Sequence, residues 1–435
     1  MKPIEFVWPD GTSERVRTAR GRLEAAGEAL RAMPMDERLA ALRRVLELWT
    51  GVDAGWRDAL VAALAAESTL HADTIREGLD EALRAWSPER FVASARRAVG
   101  QAQPADGGEG EPPAATLSPF GWTAVLAGGG VPMATMLNVL VPLALGSPVL
   151  MREASNDHAT AGLLRDALDA VDERLGRAFE SLAFPATDEA FALVLEAPCV
   201  VATGSDETIR SIAGRVRAGS RLVAFGHRFS IGVLGPGIAD DRTRLEAVAE
   251  GFALDVARWD QMGCLSPVWV SLVGFTAAAA SETAEAIAAA LDAVGSRLPR
   301  GPLSTPVAAA HHRERSEARM RATAGATRLF EGEGYTVVLE ADDRPRPAPL
   351  HRFLRLWPVA GVPELERALR PFGPQLSTVA VDGFPPDQET RLRERLTGLG
   401  ISRWTRPGRM QTPPIDWPHD GQPLFAPFLR FSSRD

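Results

Sequence analysis

Residues 119–152 read PFGWTAVLAGGGVPMATMLNVLVPLALGSPVLMR. Two short apolar runs, TAVLAG and SPVLMR, have strand length. MATMLNVLVPLAL between them has helical length, and Gly128, Gly129 and Gly130 make a turn after the first run. With a further helix expected from Asn156 to about Leu175, the stretch reads as a βαβα unit. Strands joined by a crossover helix run parallel, so this unit predicts an α/β fold with a parallel sheet covered on both faces. Ligands of such sheets gather at the carboxyl ends of the strands.

Toward the C-terminus the alternation continues with a helix near Asp188, a strand at CVVAT (199–203), a helix after Ser205 and a strand at RLVAF (221–225). A long helix from about Arg242 to Trp259 runs into DQMGCLSP (260–267), followed by a strand, PVWVSLVGF, and an Ala- and Glu-rich helix through Val294. Later strands are expected at Tyr335–Leu339, Phe353–Pro358 and Ser377–Val381. Toward the N-terminus, Leu39, Leu42, Val45, Leu46 and Trp49 recur at helical spacing within a helical region from Ser13 to about Gly100. The predicted organisation is a helical layer over 1–118 with a flexible Gly- and Pro-rich connection at 100–117, a cofactor lobe over 119–240, a catalytic lobe over 241–406, and a tail over 407–435 returning to the body or to an oligomer interface.

The chain has 435 residues, 45% hydrophobic and 24% charged, as expected of a globular protein of more than one domain. It has neither a membrane-length apolar run nor a signal peptide, which leads to the expectation of a cytoplasmic protein without a membrane span. A net charge of −8 argues against nucleic-acid binding. Lys2 is the single lysine and Tyr335 the single tyrosine. Schiff-base chemistry, a P-loop and a Tyr-Lys proton-delivery pair all fall on that count. The seven histidines show no metal-ligand spacing, so no metal is expected.

Cys264 lies in a polar, Gly-containing turn between a helix and a strand, where a thiol can face a cleft; it is read either as a nucleophile or as a small buried apolar residue. Cys199, at the start of an apolar strand, is expected in the core. In ATGSDETIR, Gly204 permits close approach and Ser205 stands at a helix start able to hold a pyrophosphate. Arg152 ends a strand at the edge where a ribose 2′-phosphate would sit, and is read equally as a surface arginine beside Glu153; the turn holding Gly128 and Gly130 either admits a nicotinamide or an acyl group closely or uses glycine for backbone reasons alone. His227 can exchange protons near neutral pH, whereas His311 and His312 read as a solvated helix face.

Taken in order, AGGGVPMATMLNVLVPLALGSPVLMREAS, VVATGSDETI, FGHRFS, WDQMGCLSP and GRMQTPPIDWPHDG resemble the LuxC-like acyl-CoA reductases of the aldehyde dehydrogenase superfamily. The last two segments are the most specific, and the likeness runs from about Pro119 to Leu424. The resemblance implies a Rossmann-like cofactor lobe and a catalytic lobe, with Cys264 as nucleophile and Gly204 and Ser205 in the phosphate-binding turn. Arg152 stands where the superfamily usually has a lysine touching the adenosine ribose, which favours NADPH over NADH. Two departures stand out. The family's turn usually reads Ala-Gly-Asn-Val-Pro, its Asn amide donating to the oxyanion, and Gly130 takes that place; one such donor is worth on the order of 3 kcal/mol. The region of the glutamate that activates water in hydrolytic aldehyde dehydrogenases reads VAFGHRFS, without a carboxylate.

The expected activity is therefore NADPH-dependent reduction of an acyl thioester, acyl-CoA or an acyl-carrier adduct and fatty by family, to an aldehyde through an acyl-Cys264 intermediate, with His227 or water as proton source. The alternatives are an oxidative or CoA-acylating aldehyde dehydrogenase, or a degenerate dehydrogenase fold that binds a partner such as an acyl-activating synthetase. A homodimer is expected from the superfamily.

Overall fold

In the computed structural model, residues 11–51, 55–102, 115–325, 327–342, 344, 346 and 348–433 are described. The chain forms two compact units. One takes in the chain to Ala63, Trp86–Gly226 and the chain from Gln422, and the other takes in Leu64–Ala85 and His227–Gly421.

In the first unit β1 (Ala115–Leu117) stands apart, pairing antiparallel with Phe431–Ser433. The main sheet holds β2 (Thr123–Leu126), β3 (Val149–Arg152), β4 (Phe179–Leu182), β5 (Cys199–Thr203) and β6 (Arg221–Phe225) in the order β4-β3-β2-β5-β6, all parallel. Alternate strand residues Ala124, Leu126, Leu150, Leu182, Val200 and Ala202 bury against Val16, Ala19 and Leu23 of the helix Thr12–Ala32 and against Phe191 and Val194. The helices Pro132–Ala144 and Ala159–Val171 pack on β2, β3 and β4. The chain leaves β2 toward β3 and β4, then returns to β5 on the other side of β2. In an open parallel sheet, such a reversal is where a ligand crevice is expected, beyond the carboxyl ends of β2 and β5.

The second unit is built on β7 (Phe229–Leu234), β8 (Pro267–Val273), β9 (Arg328–Glu331), β10 (Thr336–Leu339), β11 (Phe353–Val359), β12 (Leu376–Asp382) and β13 (Arg403–Thr405). Their order is β13-β12-β7-β8-β11-β10-β9, and only the β9–β10 pair is antiparallel. Val270 and Leu272 join one core with Leu245, Phe252, Ile287 and Leu291 of the two long helices Arg242–Ala257 and Ala277–Arg297. Trp269 and Val273, pointing the other way, join Trp357, Leu365 and Leu392. Among the described residues, no helix is long and apolar enough to cross a membrane.

The α/β class holds, and several expectations are corrected. Strands β1, β4, β7, β9 and β13 have no counterpart among the expected strands, and two of them bear on the site. FESL is short and half polar, and FSIGVL follows β6 after only three residues, too close to be told from its continuation. Because β7 lies between β8 and β12, the second unit begins at His227, where a catalytic lobe starting at residue 241 was expected. Residues 64–85 belong to this unit rather than to the cofactor lobe, since the helix Ala72–Arg84 sets Gly78 against the Trp259 indole. The expected tail divides near residue 421, and Phe425 packs on Phe91 in the first unit at 5.2 Å. Within the expected connection, the helix Pro88–Ala102 reaches past its start and β1 occupies its end, while residues 103–114 lie outside the described residues. His311 is buried rather than solvated. Its Nε2 lies 3.0 Å from the Leu350 carbonyl, and burial lowers its pKa to about 4.

A β-carbon at Gly78 would stand 2.4 Å from Cε2 of Trp259, itself fully buried. Gly78→Ala should therefore destabilise the protein by about 1–3 kcal/mol in denaturant titrations. Gly100→Ala, on a helix with open space around it, should stabilise by roughly 0.5–1 kcal/mol.

Candidate active site

Between the helix Arg242–Ala257 and β8 the backbone passes through three successive left-handed residues, Trp259 (φ 56°), Asp260 (φ 47°) and Gln261 (φ 64°). A second such run, Leu350 (φ 61°), His351 (φ 51°) and Arg352 (φ 66°), precedes β11. Left-handed non-glycine residues cost about 1–2 kcal/mol each, so both turns need external restraint. They restrain each other. Arg352 donates from Nε to Asp260 Oδ1 at 2.8 Å and from Nη1 to the Leu298 carbonyl at 2.6 Å, while Gly301 N donates to Asp260 Oδ2 at 2.9 Å. Gln261 reads the start of β11 with both ends of its amide: Phe353 N donates to Oε1 at 2.9 Å, and Nε2 donates to the Phe353 carbonyl at 3.1 Å and the Pro267 carbonyl at 2.7 Å. Asp260, Gln261 and Arg352 are all buried.

The segment leaving this clamp carries Cys264. Its carbonyl accepts from Ser230 Oγ at 2.8 Å, and Ser230 Oγ in turn accepts from Thr378 N at 3.2 Å, tying the turn to β7 and β12. On the other side Gly263 abuts the Gln411 amide, which donates to Ser266 Oγ and, at 3.2 Å, to the Asp255 carbonyl. The Asp255 carboxyl accepts from Gly408 N at 2.6 Å and Met410 N at 3.0 Å. WDQMGC and GRMQTPP, far apart in the chain, are thereby one structure.

The Cys264 side chain is exposed, whereas Cys199 is buried in β5 with its thiol pushed up to about 12 by desolvation. Reachable by solvent, the Cys264 thiol is nonetheless hemmed by protein, and this desolvation lifts it to about 11. Asp420 adds its negative charge, while a backbone hydrogen bond and Arg228 pull the other way. Arg228 Nε is 3.3 Å from Asp420 Oδ1, His419 Nε2 is 3.9 Å from the same oxygen, and the His419 ring lies 5.1 Å from Trp417. His227 is exposed, its ring 6.4 Å from that of Phe229, and its carbonyl accepts from Arg228 Nη1 at 3.0 Å. The sequence reading assigned no role to Arg228, Ser230, Asp255, Asp260, Gln261, Arg352, Gln411, His419 or Asp420. Most lie inside the segments quoted above, and Arg352 had no sequence signal at all.

In the first unit the residues chosen for a cofactor lie at or just beyond the carboxyl ends of β2, β3 and β5. A β-carbon on Gly128 would stand 2.9 Å from Thr203 Cγ2, so only glycine lets the two strand ends close up. Gly130 has φ 89° and open space around it; its need is conformational. Arg152 ends β3 half-buried, its Nε donating to the Phe184 carbonyl at 3.0 Å, and desolvation lowers its pKa. Gly204 N donates to the Phe225 carbonyl at 3.1 Å. Ser205 Oγ caps the helix Asp206–Ala213 by accepting from Thr208 N at 3.1 Å.

The sequence pattern of the acyl-CoA reductase (LuxC) family matches residues 30–430. A long-chain acyl-protein thioester reductase of Aliivibrio fischeri is 21% identical over 322 residues; the match covers 73% of this chain and 64% of the relative, less than two-thirds of its length. An oxidoreductase from Marinobacter aquaeolei superposes with a TM-score of 0.73 at 15% identity, covering 97% of this chain and 90% of the other. Aldehyde dehydrogenase 21 from Physcomitrella patens gives 0.71 at 15% identity, covering 98% and 90%. The delta-pyrroline-5-carboxylate dehydrogenase of Mycobacterium tuberculosis gives 0.71 at 16%, covering 98% and 83%. The fold is that of the aldehyde dehydrogenases.

Asp260→Asn would leave Arg352 charged in the core without its counterion, and should cost about 3–5 kcal/mol in denaturant titrations. Asp255 offers a pH test. Burial, against its two backbone hydrogen bonds, pushes its pKa up to about 7, whereas in an unfolded chain it ionises near pH 4. The folded chain thus keeps a proton that the unfolded chain has lost. The stability tied to this group is complete below about pH 4 and disappears as pH rises through about 7. In Asp255→Asn that part of the dependence of the denaturation midpoint on pH should flatten; an unchanged slope between these limits contradicts the assignment.

Proposed function

Since the chain belongs to the acyl-CoA reductase (LuxC) family, we propose that it reduces an acyl thioester to an aldehyde, with NADPH as hydride donor and Cys264 as the residue that carries the acyl group. The observation that carries this reading is an exposed thiol on a rigid turn, held by the Asp260–Arg352 and Gln261–Phe353 contacts, in a fold otherwise built on buried apolar strands.

The crevice at β2 and β5 suits a dinucleotide. Gly128 brings two strand ends together there, and the guanidinium of Arg152 matches a 2′-phosphate in shape and charge. Asp206 and Glu207 follow Ser205 in the first helical turn, and their charge opposes a pyrophosphate at that end. Gly204 and Ser205 are accordingly assigned close backbone approach, and Arg152 the larger share of anion binding. When bound, the reduced nicotinamide supplies a hydride for the carbonyl carbon.

With its pKa near 11, the Cys264 thiol is protonated at neutral pH, and Arg228 opposes the part of that shift due to Asp420. As the sulfur bonds to the thioester carbonyl carbon, its proton leaves and the carrier departs as a thiol carrying a proton, so this half-reaction is neutral in protons. After hydride addition the bond from carbon to Cys264 sulfur breaks and the aldehyde departs. One proton is then taken up to restore the thiol, through His227 or water. Residues 223–230 contain no carboxylate to activate water against the acyl group, which favours reduction over hydrolysis. Acyl-CoA or an acyl-carrier adduct, fatty in type, is the proposed substrate. An acyl-activating synthetase as supplier, a homodimer and a cytoplasmic location complete the proposal.

Cys264→Ser should abolish aldehyde formation and the acyl adduct seen by intact mass after incubation with acyl-CoA without reductant, while NADPH binding persists; aldehyde formed at the wild-type rate refutes the assignment. In the free enzyme, iodoacetamide alkylation of Cys264 should rise roughly tenfold per pH unit between about pH 7 and 10, as thiolate is formed. A plateau already at neutral pH contradicts the raised thiol.

A further inference from the structure

The second unit holds a cavity, of about 400 Å³, at the carboxyl end of the helix Ala277–Arg297. It is walled by Ser296, Arg300, Gly301, Gly334, Tyr335 and Arg352, among others. Arg300 is the anomaly. Its Nε and Nη1 are buried, and neither finds a hydrogen-bond partner. Around it stand two further cations, Arg315 and Arg352, and one anion, Asp260. That anion is already engaged, bonded to Arg352 and to Gly301 N. Arg315 is engaged as well, with Thr336 at 2.7 Å and Glu331 at 3.3 Å. Desolvation lowers the pKa of Arg300, as expected of a guanidinium drawn from water without a counterion. Asp292 and Glu333 also reach the cavity, but both are exposed, where water and salt screen their charge.

We propose that this cavity is an oxyanion-binding site for a phosphate group, in which the unpartnered Arg300 guanidinium is the principal contact and the Tyr335 and Ser296 hydroxyls are available as further donors. A guanidinium fork matches a phosphate in geometry, and a cavity of this volume admits a small molecule. Cys264 is not among the residues that wall this cavity. The cavity shares Arg352 with the clamp, so its occupant touches the residue that fixes the turn before Cys264. The phosphate can come from free inorganic phosphate or from a phosphate ester of a nucleotide, the two sources that the test separates.

The test is thermal unfolding of the full chain with inorganic phosphate, with adenosine 3′,5′-bisphosphate, and with sodium chloride at matched ionic strength. Wild-type protein should gain about 2 °C or more with phosphate or with the nucleotide over chloride, and the larger gain identifies the source. In Arg300→Met the gain should vanish, while the midpoint without ligand stays level or rises, because a half-buried charge whose Nε and Nη1 lack hydrogen-bond partners has been removed. Arg300→Lys, which keeps the charge, should retain part of the gain, and so should Arg152→Ala, which disables the other phosphate-binding arginine. The proposal is overturned if Arg300→Met keeps the wild-type gain, if chloride matches phosphate, or if Arg152→Ala alone removes the effect. A fall in the ligand-free midpoint of Arg300→Met, with no gain from either phosphate in wild type, overturns it also, since Arg300 would then serve stability alone.

Discussion

The second unit depends on a mutual restraint between two backbone turns that neither could sustain alone. Six residues in the left-handed region would cost several kcal/mol in isolation, and they are held because Asp260 and Arg352, both fully buried, neutralise each other across them while the Gln261 amide bonds both backbone groups of Phe353. A buried ion pair is seldom a net source of stability. Its value here is geometric. It sets where the chain emerges before β8, and so where the sulfur of Cys264 stands relative to Ser230 on β7.

Around that sulfur the electrostatics are divided. Desolvation and Asp420 hold the thiol protonated, and Arg228 works against them from the start of β7. A resting thiol of this kind is protected from adventitious oxidation, because the thiolate is the reactive form. In the proposed reaction the thiol would lose its proton only as its bond to the thioester carbonyl carbon forms. In the first unit a different constraint governs. The strand order reverses between β2 and β5, and the close fit of Gly128 against Thr203 fixes the edge of the crevice expected at this reversal.

Much of the scaffold was legible from periodicity. The βαβα unit at 119–175, the strands CVVAT and RLVAF, and the long helices before and after Cys264 stand close to where the apolar pattern puts them. The strands FESL and FSIGVL were not legible. One is too short and polar to give a period, and the other follows a strand with no intervening turn signal. Missing FSIGVL displaced the expected start of the second unit by one strand. The burial of Cys199 followed from its place in an apolar strand, whereas the polar Gly turn left Cys264 open between an exposed nucleophile and a buried apolar residue, and the structure exposes it. The burial of His311 did not, because its charged neighbours concealed the one helix face that packs on the Leu350 turn.

By itself the sequence determined the α/β class, the candidate nucleophile, the glycines at the β2 turn and the chemistries closed to a chain with one lysine and one tyrosine. These are properties of residue type and local order, which a linear pattern carries. Only the tertiary structure decided which charges meet. Arg352 pairs with a carboxylate 92 residues away, and Arg228 lies beside Asp420. Among the described residues, Nε and Nη1 of Arg300 find no hydrogen-bond partner. Coulomb energy and desolvation depend on distances through space and on the solvent excluded between groups, and neither can be read from positions along a chain.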